Sequence, residues 1–253
     1  MKISIITPYK NSYQTFTDTY KSVINQTYKN FEWIIVDDKS HANERKELEE
    51  LAIDKRVRIF SNNNEPGPGG ARNYGLNKIT GDFLTFIDSD DNWQTNYLEV
   101  MSNLITDSKG VIFSGYKRFD CEKNKYIDAY LPTLEIITKD NILRGNPLSC
   151  LTTFIDLGKL NFIPQFGNYI ARNDLVFFYR ILNQIEYAKP IRKSLGTYNL
   201  IPNSISRNKY RALWFQWLVC REEAKLSMLL SMYNCLCWMI YGIKKYYLNR
   251  EKI

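Results

Sequence analysis

Four short apolar runs constrain this chain more than any other feature: Ile3 to Thr7, Phe31 to Val36, Val57 to Phe60 and Phe83 to Ile87. Each is of strand length, and each stops abruptly at polar or turn-forming residues. The segments between them have helical spacing. Ser12 is placed to cap a helix with Phe16, Tyr20, Val23 and Ile24 on one face. Residues 43–53 are charged, with Leu48, Leu51 and Ala52 on one side, and Ala71 to Ile79 follows a Gly- and Pro-rich stretch, Glu65 to Gly70. Strand alternating with helix predicts an α/β fold, a mostly parallel sheet joined by right-handed crossovers and flanked by helices. In such a sheet ligands bind beyond the carboxyl ends of the strands. Those ends carry Thr7-Pro8-Tyr9, Asp37-Asp38, Ser61-Asn62 and Asp88-Ser89-Asp90, so polar groups from four strands converge on one rim.

From about Asn96 the pattern changes. Tyr97, Leu98, Met101, Leu104 and Ile105 predict a helix, and Gly110 to Tyr116 a fifth strand. Cys121 to Phe166, interrupted by Pro132, Pro147 and Pro164, receives no assignment. Residues 173–186 have a helical pattern, and 211–253 predict a C-terminal extension of one or two helices. The 253 residues suit one large domain with a small appendage. The expected division is a nucleotide-binding half, 1–95, a second half of the same domain, 96–210, and C-terminal helices, 211–253.

At the rim, Asp88 and Asp90 are alternate residues of an extended segment and point the same way. Two carboxylates on one side suit a hard divalent cation whose other ligands are phosphate and water; an acidic turn capping the next helix has the same sequence. Asp37-Asp38 suits a nucleobase N–H or a ribose hydroxyl, or simply a turn. Arg72, just after Gly69-Gly70 at a helix start, suits a diphosphate, although a lone Arg on a helix is also an ordinary surface charge. His41 is the only histidine, and neither a Gly-x-Ser-x-Gly turn nor a Gly-Lys-Ser/Thr phosphate loop occurs. Chemistry in this chain therefore falls to carboxylates.

With 34 Lys+Arg against 27 Asp+Glu the chain carries a formal +7. That charge suits phosphate-bearing substrates or an anionic membrane face. No long basic run supports nucleic-acid binding. Cys121, Cys150, Cys220, Cys235 and Cys237 have no disulfide-like spacing, and Cys235 and Cys237 lack the spacing of zinc ligands. The stretch MKISIITPYKN is too short in its apolar part for a signal peptide, so the default expectation is a cytoplasmic location.

The segments SIITPYKN (4–11), SVINQTYKNFEWIIVDDKS (22–40) and EPGPGGARNYGLNKITGDFLTFIDSDD (65–91) together resemble the family-2 glycosyltransferases of GT-A fold. ARNDLVFF (171–178) and YNLIPNSIS (198–206) match more loosely. The resemblance implies an inverting hexosyltransferase that moves a sugar from a UDP-sugar to a hydroxyl of a glycan or lipid-linked sugar acceptor, in surface polysaccharide or glycolipid synthesis. It implies that Thr7, Pro8 and Tyr9 line the nucleobase pocket, with Tyr9 stacking, that Asp38 and Asp37 bind the base, and that Arg72 holds the nucleotide. Asp88 and Ser89 then face the ribose, Asp90 with Asp88 ligates Mn2+ or Mg2+, and Asp174 is the catalytic base. Two positions depart from the family pattern. Asn173 replaces the usual Glu before that base, which makes Asp156 an outside candidate, and Lys39 replaces the Gly after the paired Asp, where a non-Gly residue can adopt the required turn.

From Leu226 to Ile243 no charged residue appears, and Lys244-Lys245 follow. A helix lying on the inner face of the plasma membrane, packing against the core or a partner subunit, and a membrane span all fit. Trp214, Trp217, Trp238, Tyr246 and Tyr247 suit an interface. The alternative to an enzyme is a non-catalytic nucleotide-binding or membrane-associated scaffold on the same fold. A sugar-nucleotide pyrophosphorylase needs a glycine-rich basic loop where this chain has Pro8-Tyr9-Lys10.

Overall fold

A computed structural model describes residues 1–106, 108–133, 135–169, 171–201, 209–247 and 250–251. The first half runs β1 (Ile3–Tyr9), α1 (Tyr13–Ile24), β2 (Phe31–Asp37), α2 (Ala42–Leu51), β3 (Val57–Ser61), α3 (Pro68–Leu76) and β4 (Phe83–Phe86). Their neighbours, β3-β2-β1-β4, are all parallel. Successive strand residues point to opposite faces, and the core divides accordingly. Ile5, Trp33 and Ile35 pack with Phe16 of α1 and Leu48 of α2. Ile6, Ile34 and Val36 pack on the other face, with Ala71 and Leu76 of α3.

The second half adds β5 (Asn92–Trp93), α4 (Tyr97–Ile105), β6 (Val111–Asp120), β7 (Lys125–Tyr130), α5 (Lys139–Ile142), β8 (Thr153–Asp156) and α6 (Asn173–Leu182). It ends in β9 (Ala188–Leu200), α7 (Lys209–Leu218), α8 (Met228–Tyr247) and β10 (Arg250–Glu251). The sheet continues past β4 as β8-β6-β7-β10, and β9 pairs with β6 and β5. Here β8 is antiparallel to both β4 and β6, while β9 runs parallel to β6, so the first four strands are all parallel and the whole sheet is mixed. Among the described residues, the unassigned stretch 121–166 thus holds β7, α5, β8 and a 3-10 turn at Leu157–Lys159. β9 carries Lys189, Pro190, Arg192 and Lys193, which hide a strand from any apolar pattern. Residues 202–208, most of the YNLIPNSIS segment, lie outside the described residues, as do the side chains of Tyr246 and Tyr247. Among the described residues, no helix is long and apolar enough to cross a membrane.

At the end of the sheet opposite the acidic rim, Glu32 is buried on β2. It accepts hydrogen bonds from Ser4 Oγ (2.7 Å), Thr80 N (2.6 Å) and Arg58 Nη2 (2.7 Å), and ion-pairs with Lys2 at 3.1 Å. Burial opposes its charge, but the bonds from Ser4, Thr80 and Lys2 prevail and hold its pKa at about 2, down from 4.5. A depressed carboxylate stabilises the fold fully above its unfolded pKa and loses that contribution as pH falls through the folded value. Wild-type stability is therefore expected to fall between pH 4.5 and about 2. The Glu32→Gln variant, less stable at neutral pH by up to about 3 kcal/mol, closes most of that gap over the same window. Denaturant titrations of both proteins at stepped pH check this, and a pH-independent gap contradicts it.

Candidate active site

The strand order places β2 on one side of β1 and β4 on the other, so successive connections leave β1 in opposite directions. That makes the carboxyl ends of β1 and β4 the topological switch point, where an open α/β sheet binds its ligand. Asp88 lies just beyond β4, and Arg72 comes from α3, one residue behind Ala71 in the core. The Arg72 guanidinium donates a short hydrogen bond to Asp88 Oδ1. It is 5% exposed and lies 5.3 Å over the Phe166 ring. Burial opposes its charge, yet Asp88, Cys150 and Asp174 together raise its pKa above the ordinary value. Residues 72, 88 and 174 thus share one electrostatic environment. The Nε N–H of Arg72 is buried without a hydrogen-bond acceptor in the structure, a donor suited to an anionic ligand.

Aromatic packing fixes Asp174 relative to Asp88. Phe177, one turn along α6 from Asp174, stacks on Phe166 with centroids 4.1 Å apart, and both meet Phe86 of β4 edge-on. Asn73 of α3 holds the Phe166 backbone from both sides, accepting from its N–H at 2.7 Å and donating to its carbonyl at 3.2 Å. Asp174 lies in the first turn of α6, whose N-cap is Arg172. Asp174 therefore does not cap α6, although its charge in the first turn favours the helix dipole. Asn173 packs against Gly69, where a β-carbon would come within 2.9 Å of its amide nitrogen. Asp156 sits opposite Phe83 in the β4–β8 pair, at the amino end of β4, roughly 15 Å of strand from Asp88. Its carboxylate accepts from Gly158 N. The structure thus removes Asp156 as a base candidate.

The remaining rim residues divide into the half-buried acidic turn after β4 and buried residues that hold the loops around it. Asp90 is pushed up to about 6, first by burial and then by the neighbouring Asp88 carboxylate. Burial, Asp90 and Asp88 also raise Asp91 well above the ordinary range. A pair of carboxylates under this mutual repulsion fits a hard cation of the Mg2+ or Mn2+ kind, which needs one or two carboxylates and completes its shell with phosphate and water. Among the described residues no three His, Cys, Asp or Glu groups gather into a metal cage. Ser89 Oγ donates to Ser12 Oγ at 3.0 Å. Ser12 makes no side-chain cap bond to α1, contrary to its expected role, and supports the acidic turn instead.

Asp38 is buried, and each of its carboxylate oxygens accepts a hydrogen bond. It accepts from Asn62 Nδ2 at 2.6 Å and from Gly67 N at 2.8 Å, with Lys10 Nζ 3.6 Å away. It anchors the loop leading into α3, where Gly67 has φ +104°, a conformation that glycine adopts without strain. Asp37 accepts from Ser40 N and from Arg45. Lys39 has φ 63°, so the turn after the paired Asp forms without glycine. Thr7 Oγ1 accepts from Trp33 Nε1 at 2.9 Å, and Pro8 is buried. Tyr9 is 0% exposed, with its ring edge-on to Phe16 and its hydroxyl donating to Glu44. The stacking surface expected of Tyr9 is therefore already covered. Sequence reasoning also passed over Asn199 of β9. Its amide donates to the Asp90 carbonyl at 2.6 Å and its N–H to Asp91 at 3.0 Å, tying the end of β9 to the acidic turn. Asn199 lies in the loosely matching YNLIPNSIS segment, where no local pattern marks it.

The family model for glycosyl transferase family 2 matches residues 4–159. The chain belongs to this family and is a glycosyltransferase. It is 31% identical over 245 residues to the putative teichuronic acid biosynthesis glycosyltransferase TuaG of Bacillus subtilis, covering 96% of each chain. It is 32% identical over 255 residues to the Escherichia coli enzyme WfgD, a UDP-Glc:alpha-D-GlcNAc-diphosphoundecaprenol beta-1,3-glucosyltransferase, covering 99% of this chain and 98% of the relative. Among solved structures, S. aureus TarS 1-349 in complex with UDP-GlcNAc superposes with a TM-score of 0.69 at 20% identity, over 98% of this chain and 73% of that one. The Pyrobaculum calidifontis mannosyltransferase PcManGT, solved with GDP-Man and Mn2+, gives 0.67 at 12% identity, over 98% and 70%. These likenesses show the GT-A fold.

Proposed function

We propose that this glycosyltransferase transfers a hexose from a UDP-sugar, with inversion, to a hydroxyl of a lipid-linked sugar in surface polysaccharide synthesis. The observation that carries the reading is the convergence of Arg72, Asp88 and Asp174, from three separate elements, at the switch point of the sheet. Identity to WfgD over nearly the whole of both chains supports a UDP-sugar and a lipid diphosphate acceptor.

In this reading residues 1–95 hold the donor and 96–210 the acceptor. Thr7, Pro8 and Tyr9 form the floor of the nucleobase pocket, Asp37 and Asp38 fix its loops and meet the base, and Ser89 and Asp88 face the ribose. Arg72 holds the diphosphate. Asp88 and Asp90 hold Mn2+ or Mg2+, which when bound offsets charge on the departing diphosphate. Asp174 takes the proton from the acceptor hydroxyl as that oxygen attacks the anomeric carbon; the C–O bond to UDP breaks on the opposite face, inverting the centre. The enzyme works at the inner face of the plasma membrane, which residues 211–253 contact.

Incubation with a panel of UDP-sugars and a lipid-linked sugar acceptor tests this. The expected result is UDP release and a glycosylated lipid of inverted linkage, both dependent on acceptor. Product formation from a GDP- or dTDP-sugar alone would overturn the donor assignment.

A further inference from the structure

α8 is turned inside out. Its protein-facing side carries Ser231, Asn234 and Cys235, all buried, and the first two hydrogen-bond back to Ser227 O and Leu230 O of their own chain segment. From Leu229 to Ile243 its solvent-facing side carries no charged side chain. Leu229, Met232, Leu236, Met239, Ile240 and Ile243 recur at helical spacing and are between 40% (Met239) and 79% (Leu229) exposed. A surface helix in a globular protein has the opposite polarity, and an exposed apolar stripe of this extent marks a docking surface. A groove of about 630 Å3 between α7 and α8, walled by Trp214, Trp217 and Tyr210, opens beside the same stripe.

The charges around the stripe indicate what covers it. Between Ala224 and Asn249 the only charged side chains are Lys225, Lys244 and Lys245, all cationic and placed at the two ends of α8. A second copy docked on this face, parallel or antiparallel, would set lysines against lysines. An anionic lipid surface complements both ends at once, while the apolar stripe enters the acyl boundary, as in-plane amphipathic helices do. We infer that α8 lies flat in an anionic bilayer surface, with Leu229, Met232, Leu236, Met239 and Ile243 inserted and Lys225 and Lys244 at the headgroups. This deepens, and rests on, the reading of a lipid-linked acceptor. The inner edge of the helix supports it: Trp238 lies 4.4 Å from the guanidinium of Arg172, two residues before Asp174. The inserted edge is thus roughly one helix diameter, about 10–12 Å, from the loop that leads into the candidate base.

The test is sedimentation of the full chain with phosphatidylcholine vesicles, with and without phosphatidylglycerol, alongside UDP calorimetry and light scattering. Binding is expected to be at least ~10-fold stronger on the anionic vesicles and to weaken with salt. Leu229→Glu with Leu236→Glu abolishes it while UDP binding, which reports the fold and the donor site, is retained. Lys244→Glu with Lys245→Glu lowers binding to the neutral-vesicle level. A wild type that binds UDP but not vesicles overturns the docking inference and leaves the donor reading standing; one that binds vesicles but not UDP does the reverse. A dimer that Leu229→Glu with Leu236→Glu dissolves assigns the face to a second copy and also overturns the inference.

Discussion

Asp174→Asn is expected to lower kcat by roughly 10^3-fold, within the range that general-base catalysis contributes, and to leave UDP affinity within about twofold of wild type. The substitution keeps the volume and the polar contacts of the side chain and removes only its capacity to accept a proton. Asp174 adds to the field at Arg72 behind Asp88 and Cys150, so nucleotide binding changes little. The Phe86–Phe166–Phe177 contacts that place α6 are untouched. Single-turnover transfer and UDP calorimetry on one preparation separate the two effects. Equal loss of both contradicts the base assignment, and no loss of transfer favours a base elsewhere. A wild type that binds nucleotide without turnover is the scaffold alternative.

Arg72→Met is expected to be the most damaging single change at the donor site. The side chain is 6% exposed and paired with Asp88, itself beside Asp90 and Asp91. Removing the cation leaves three acids crowded around one turn and takes away the buried Nε donor. Truncating one partner of a buried, hydrogen-bonded charge pair typically costs about 2–5 kcal/mol, and at the donor site this corresponds to at least ~30-fold weaker UDP binding. A lower denaturation midpoint accompanies it. Arg72→Lys keeps the charge but not the forked geometry, and is expected to restore stability more than affinity. Unchanged UDP binding in Arg72→Met would remove the residue from the donor site.

The first half of the fold was legible because β1, β2 and β4 bury both faces and show as apolar runs, while the edge strand β3 shows through Val57, Ile59 and Phe60. The strands observed start and stop within a few residues of Ile3–Thr7, Phe31–Val36, Val57–Phe60 and Phe83–Ile87. Lys39 at φ 63° meets the turn expected without glycine. The second half was not legible, for physical reasons. β7 exposes Lys125, Tyr126 and Ile127 at its start, and β9 mixes cations and a proline into a strand held by its partners rather than by its own pattern. Residue types at the rim were visible in sequence, but their burial was not. Asp37 and Asp38 carry the right groups for a nucleobase, and only the structure shows that their oxygens also hold the surrounding loops through Asn62, Gly67, Ser40 and Arg45. The placement of Arg72 against Asp88 follows from the crossover between β3 and β4, which no local pattern encodes.

The central claim is that the acidic turn after β4 is a metal-assisted UDP site, and calorimetry of UDP with and without Mn2+ on wild type and Asp90→Ala tests it most directly. Binding that strengthens with Mn2+ in the wild type and loses that dependence in Asp90→Ala is the predicted result. Absence of UDP binding by the wild type under both conditions would contradict it.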